Sequence, residues 1–481
     1  MPARRAAKTI LSCISISTPA RMKNPACKFD FFGRLPFVNK NIRSFLRFGA
    51  FLLILVLVVL LANAVLIQTD TYSALPLAEL KSRDDIDLAV VGSSIVGEHL
   101  NANLVSEQTG LTAFSASVPS LSLQGEIALT REIYRKNSPA YTVLSLEPYN
   151  LNSAKEYTSA YYRLTPYLSF WRDKITYYLD ACREDGLYLD RLFMFREFGV
   201  ESLSDILKTV GLRFNPLKTY EKLKPTLDDT VTYEGSGFLR YDREPDVADL
   251  VREKLQREEM PDGYVYELLE PTKVLLLRYK ALCEEKGSQL MILLFPNLTA
   301  HALAEPEYLP YCESLMAFCR ENSIPCYNFQ YVKADYMENL DAYYYDLYHL
   351  NGEGADKFSA FFARFFNAYV GGEDVDGWFY ADSVEYLASV DRVTNAWLMR
   401  RGDQFVADCN RGTQVTPLYR FCLSTDGVQT LLRDYSEDNT LPVCAVPAGS
   451  SVFVYAVPAG QLDAKPVFDM IWSSELGAYG T

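Results

Sequence analysis

Asp87-Leu-Ala-Val-Val-Gly-Ser-Ser94 is the stretch from which the fold of this chain is read. A short, unbroken apolar run closed by glycine and serine reads as a strand buried on both faces. Downstream, residues 97–110 read as a helix ended by glycine. Leu111 to Ala116 reads as a second strand, Leu121 to Lys136 as an amphipathic helix and Ala140 to Leu146 as a third strand. Strand, helix, strand, helix, strand implies a parallel sheet joined by right-handed crossovers.

The alternation resumes later. Gly263 to Lys286 reads as a helix, Gln289 to Leu294 as a strand, Glu307 to Asn322 as a helix and Pro325 to Phe329 as a short strand. The last helix, Asn351 to Asn367, has Asn351 as its N-cap and Phe358, Phe361, Phe362, Phe365 and Phe366 on one face. The expected architecture is therefore an α/β domain over residues 84–370, with a helical, tyrosine-rich insertion over about 151–261. That insertion, over one end of the sheet, reads equally as a lid or acceptor-binding cap or as a packed helical subdomain.

From Gly371 to Thr481 the texture changes to short alternating runs, such as Ser451 to Val457, separated by turn residues. This predicts a small β-rich C-terminal domain. The pentapeptide AVPAG occurs at 445–449 and 456–460, which suggests two similar strand ends. Trp378, Trp397 and Trp472 lie in this part, as buried sandwich residues or as a sugar-stacking platform.

At the other end, residues 48–67 read FGAFLLILVLVVLLANAVLI, twenty residues without a charge. That is long enough to cross a bilayer as a helix. Residues 1–47 hold ten Lys or Arg and one acid, a charge of +9 against −14 for the whole chain, which leaves −23 on the rest. The positive-inside rule then predicts a cytoplasmic segment at 1–47, a transmembrane signal-anchor at 48–67 and an extracytoplasmic body on the cell membrane. Ala62-Asn63-Ala64 offers the competing reading of a cleaved signal peptide, but the apolar run continues past it. Met22 is a second candidate start. Residues 69–83 read as a short stalk.

Composition excludes several classes of function. An acidic body does not suit nucleic acid, which needs clustered Lys and Arg. There is no CxxC, the three histidines are scattered, and no phosphate-cradling glycine motif is present, so neither metal nor cofactor is expected. Eight of the ten cysteines follow the apolar segment. They read mainly as buried thiols, with Cys319–Cys326 and Cys409 with Cys422 or Cys444 as conceivable pairs.

Three residues carry the candidate chemistry. Ser94 sits where a parallel strand turns into a helix, at the sheet end where ligands bind in open α/β folds. A serine hydroxyl needs a base to take its proton and donors for the oxyanion. His349 is the candidate base, and Asp346, three residues before it, can reach its ring. Each feature has a plainer reading: a capping serine in Gly92-Ser93-Ser94, and a surface Asp-x-x-His before a helix. His99, five residues after Ser94, reads as facing the same cleft or, more plainly, as a helix-surface residue, and His301 as a loop residue. The serine after the first core strand and the Asp–His pair before the last core helix, taken together, favour nucleophilic acyl transfer.

On Gly92-Ser93-Ser94 and Asp346-Leu-Tyr-His349 the chain resembles the SGNH (GDSL-like) hydrolase superfamily over residues 86–368, outside the insertion. The resemblance implies an SGNH-like, flavodoxin-like parallel-sheet sandwich with Ser94, His349 and Asp346 as catalytic residues. It also implies oxyanion donors, here the N–H groups of Ser94 and of Ser120, which replaces the family's second-block glycine in Ser115-Ala-Ser-Val-Pro-Ser120. The third block, Gly-x-Asn-Asp, is absent; Glu147-Pro-Tyr-Asn150 stands there, with Asn150 as a shifted substitute. The chain is most similar to membrane-anchored members of alginate acetylation and teichoic-acid alanylation systems. That implies an esterase or O-acyl, chiefly acetyl, transferase acting on a polysaccharide acceptor, with a membrane-bound O-acyltransferase as partner. The alternative is a catalytically silent, membrane-tethered carbohydrate-binding or assembly protein on the same scaffold.

Overall fold

The computed structural model describes residues 40–147, 155–196, 199–243, 266–425, 427–447, 450–463 and 467–472. The chain divides into two units, residues 1–60 and 61–481. The described part of the first unit is helical and belongs to α1, Lys40–Leu66, which runs on into the second. Within it Asn41–Leu66 is long and apolar enough to cross a membrane. At 1.5 Å per residue its 27 residues span about 40 Å.

The second unit begins with α2, Thr71–Ser82. The sequence suggested a stalk here. Instead Leu75, Leu77 and Leu80 are buried, because this helix turns its apolar side onto the sheet. Then follow β1 (Leu88–Gly92), α3 (Ser94–His99), α4 (Ala102–Thr109), β2 (Ala113–Ser117), α5 (Leu123–Ile133) and β3 (Tyr141–Ser145). The single helix expected over 97–110 is thus two. The break falls at Leu100–Asn101, where Asn101 caps α4 with its side chain and its N–H donates to Ser359 Oγ at 2.8 Å.

The insertion contributes helices Thr158–Leu164, Trp171–Cys182, Tyr188–Leu192, Leu203–Phe214 and Pro216–Leu223, then a hairpin of β4 (Val231–Gly235) and β5 (Phe238–Tyr241). Tyr161, Tyr167 and Tyr177 share one core with α2 and α5, so this part is a packed layer on the sheet. Helix Glu270–Lys286, β6 (Gln289–Leu294), helix Thr299–Ala304, helix Tyr308–Glu321, β7 (Cys326–Asn328) and helix Gly352–Val370 complete the α/β part.

The five-stranded sheet is wholly parallel, in the order β2-β1-β3-β6-β7. β1 is its pivot: Leu88 pairs with Ala113 on one side and Tyr141 on the other. Alternate residues of this one strand serve opposite layers. Leu88 and Val90 face the core with the Gly352–Val370 phenylalanines, while Ala89 and Val91 face the core with α2 and α5. This is the physical content of the unbroken apolar run. The strand order reverses at β1, so the carboxyl ends of β1 and β3 border the crevice where a doubly wound sheet takes its ligands.

Seven antiparallel strands follow: β8 (Val393–Arg401), β9 (Gln404–Arg411), β10 (Pro417–Thr425), β11 (Val428–Ser436), β12 (Thr440–Pro442), β13 (Ser451–Pro458) and β14 (Val467–Trp472). They form sheets β11-β10-β13-β14 and β12-β9-β8, which share one core around Phe405, Ala407, Phe421 and Val454. The second AVPAG closes a strand, β13; the first begins in the 3-10 turn Val443–Ala445. Trp397 is buried, and the half-buried Trp378 stacks one face on Tyr336 at 4.9 Å, with Arg364 beside the pair. The eight described cysteines are all free thiols, so none of the conceivable pairs forms.

Candidate functional site

The strand β1 ends at Gly92, and the chain turns at once into α3. Gly92 is needed for this turn: a Cβ there would lie 2.7 Å from Val96 Cγ2 and 3.0 Å from Ser145 Cβ. Ser93 caps α3, accepting from Ile95 N–H at 3.4 Å. Ser94 is the first helical residue, half-buried, with its side chain turned to His349. Its own N–H belongs to the first turn, whose N–H groups have no acceptor within the helix.

Ser94 Oγ lies 2.9 Å from His349 Nε2, although 255 residues separate them. His349 Nδ1 lies 2.9 Å from Asp346 Oδ2 and 3.1 Å from Oδ1. Asp346 Oδ1 also accepts from the N–H groups of Tyr348 (2.8 Å) and His349 (2.7 Å). The carboxylate thus folds its own loop around itself, as Asp does in tight turns, and this presents the ring to the serine. Ser94, His349 and Asp346 are therefore brought together in the order serine, imidazole, carboxylate.

The oxyanion candidates stand differently. Ser120 lies on the β2–α5 loop, is exposed, and has φ +60°. That is the left-handed conformation glycine takes most readily. The loop is tied to the nucleophile strand by Val118 N–H donating to Gly92 O at 3.3 Å. Asn150 lies outside the described residues.

Four residues around the base were given no role from the sequence. Glu147, just past β3, is buried and accepts from Ser93 Oγ. Burial pushes its pKa up to about 7, against the pull of the Ser93 bond and of His349. Glu98, on α3, is 7% exposed and accepts from Tyr345 Oη. Its pKa is raised by burial, with His349 and the Tyr345 bond pulling the other way. The Tyr345 ring lies nearly parallel to the His349 ring, 5.7 Å between centroids, and Tyr241 of β5 stacks on Tyr345 at 5.0 Å. The insertion hairpin therefore reaches the site.

The electrostatics follow from this shell. Burial alone would lower the pKa of His349; Glu98, then Asp346 and Glu147, outweigh it and push the imidazole up to about 9. Burial would raise Asp346, but the bond and charge of His349 and the two N–H donors hold it below its ordinary value.

His99 and His301 are corrected. His99 is fully buried, not on a helix surface; its Nε2 accepts from Leu350 N–H at 2.9 Å and its ring stacks on Phe295. Burial and the neighbouring His349 hold its pKa well below the ordinary value, so it remains a neutral acceptor anchoring the residue after the base. His301 is buried within helix Thr299–Ala304, not on a loop, and packs edge-on against Tyr348 at 4.6 Å. Among the described residues no His, Cys, Asp and Glu group could hold a metal ion. Chemically, the arrangement can take a proton from a half-buried serine hydroxyl at the carboxyl end of β1 and hold the resulting imidazolium among carboxylates.

No protein-family model matches the chain. No curated protein matches it. Among solved structures, the chain is similar to a crystal structure described as a "putative acylhydrolase" from Bacteroides fragilis NCTC 9343, at 10% identity, covering 61% of this chain and 95% of that one, with a TM-score of 0.29. A likeness at that score carries no argument, so the chemistry rests on the geometry above.

Proposed function

We propose that this protein is a membrane-anchored serine acyl-ester hydrolase or O-acyltransferase of the SGNH kind, acting outside the cytoplasm on an acylated polysaccharide. One observation carries the reading: the Ser94–His349–Asp346 relay, with contacts of 2.9 Å at each step, at the carboxyl end of the pivotal strand. In it His349 takes the Ser94 proton as Oγ attacks the acyl carbonyl. Asp346 fixes the ring with Nδ1–H toward itself, leaving Nε2 to face the hydroxyl. The oxyanion is received by the N–H groups of Ser94 and Ser120, and the His349 proton passes to the leaving oxygen. Water or a sugar hydroxyl then takes the acyl group from Ser94. An acetyl group, an envelope or exported polymer as acceptor, and a membrane-bound O-acyltransferase as acyl supplier belong to this proposal.

The apolar α1 supports the anchored part of the reading. The silent carbohydrate-binding alternative draws no support from Trp397, which is buried. A fluorophosphonate probe tests the chemistry directly. It should label the wild-type chain and leave Ser94→Ala unlabelled; equal labelling of both would remove Ser94 as the nucleophile. Release of p-nitrophenol from its acetate ester should depend on His349, and turnover surviving His349→Ala would count against the base.

A further inference from the structure

Helix Leu203–Phe214 is two-sided in an unusual sense for a body element. Thr209 and Leu212 are buried against the rest of the unit. Leu203, Leu207 and Phe214, at i, i+4 and i+11, fall on one stripe of a 3.6-residue helix. They are 72%, 67% and 82% exposed, and Leu217 on the next helix is 58% exposed. Single exposed apolar residues are ordinary; an apolar stripe continued across consecutive helices marks an interaction surface.

The charge of this segment is opposite to that of the chain. Residues 203–224 hold five Lys or Arg (Lys208, Arg213, Lys218, Lys222, Lys224) and two acids, a local +3 in a protein of −14. Lys218 and Lys222 are exposed.

Its place is fixed by hydrogen bonds. Arg213 donates to the carbonyls of Asn63 and Ile67, each at 3.1 Å, and to that of Ala64. Asn63 Nδ2 donates to Leu192 O at 2.9 Å, and Val200 N–H to Leu66 O at 2.7 Å. Asn63 to Leu66 is the last turn of the apolar helix, whose terminal carbonyls need outside donors. Wherever a bilayer surrounds Asn41–Leu66, that turn lies at its polar boundary, and so does the guanidinium bonded to it. Phe214 is the next residue in the chain.

An apolar stripe, a basic flank and a tether at the membrane boundary are together the physical chemistry of a helix lying in the interfacial plane. We propose that Leu203–Phe214 and Pro216–Leu223 form a second membrane contact, with the leucines and Phe214 among acyl chains and Lys218 and Lys222 on anionic headgroups. The inference does not depend on the acyl-transfer reading.

The full chain in nanodiscs carrying an acyl-chain diazirine lipid tests it. Photolysis should give lipid adducts on residues 203–217 as well as on 41–66. Phosphatidylglycerol should raise the yield at 203–217 over phosphatidylcholine alone. Lys218→Glu with Lys222→Glu should lower that yield about fivefold in the phosphatidylglycerol discs, with adducts on 41–66 unchanged as the internal standard. Adducts confined to 41–66, the pattern given by a surface that a protein partner rather than lipid covers, would overturn the proposal. A yield at 203–217 unmoved by both lipid charge and the lysine reversals would overturn its electrostatic part.

Discussion

Replacing Glu98 by glutamine should change how the nucleophile responds to pH. Glu98 is one of three carboxylates, with Asp346 and Glu147, that raise His349 to about 9. His349 can accept the Ser94 proton only when neutral, so labelling of Ser94 by a fluorophosphonate should climb with pH and level off above about 9. At pH 7, a base with that pKa is neutral in about one molecule in a hundred. Glutamine keeps an oxygen for the Tyr345 hydroxyl and removes the charge. Losing one of the three carboxylate influences should move the rising limb down by about one pH unit. Labelling near pH 7 should then increase by about tenfold, because the neutral fraction increases by that factor. On the plateau the sign reverses, since the imidazolium formed during attack has lost a counter-charge. The two pH profiles should therefore cross. A limb that stays in place would mean that Glu98 holds its proton throughout and does not set the charge of His349. Absence of labelling in the wild type would instead remove Ser94 as nucleophile and leave the Glu98 argument without a reaction.

Three further outcomes follow from contacts elsewhere. Asp346→Asn should slow labelling by about 10³–10⁴-fold, because the amide favours the wrong ring tautomer; a loss below tenfold would remove the orienting role. Gly237→Ala should destabilise the fold by about 2–3 kcal/mol in thermal or urea unfolding, since Gly237 has φ +84° and its Cβ would lie 1.9 Å from Ser115 O; an unchanged midpoint would contradict the docking of the hairpin. Glu126 is 2% exposed, with no hydrogen-bond partner for Oε2 among the described residues, and burial holds its pKa well above the ordinary 4.5. The folded state thus resists ionisation that the unfolded chain permits, so stability falls as pH rises above that value. Glu126→Gln should raise the melting temperature at ~pH 8 and change it little at ~pH 4; equal effects at both would refute this.

What the sequence made legible was periodic or local. The apolar run of β1 announced a strand with two covered faces, and Asp346 and His349 lie close enough in the chain for their pairing to be read from spacing. Glu98 and Glu147 were hidden for a physical reason: a lone carboxylate in sequence looks like a solvated one, and only the fold shows that each is buried beside an imidazole. His99 sits in a six-residue helix, too short for periodicity to reveal its inward face. Tyr241 reaches Tyr345 through a hairpin more than a hundred residues upstream, and no local pattern encodes that contact. Residues 69–83 read as a stalk, yet they form a buried helix, α2, that carries Pro76 inside it.

The hairpin tip has a consequence in time. β2 is the outer strand of the parallel sheet, and Ser115 N–H finds its acceptor in Ser236 O, 2.9 Å away and 121 residues later. At ordinary rates of synthesis that stretch takes about 6–24 s to appear. For that interval the nascent sheet has an open rim able to pair with a neighbouring chain. The same bond makes the insertion a seal rather than an accessory: excising residues 231–241 to simplify the protein should yield chains that assemble edge to edge.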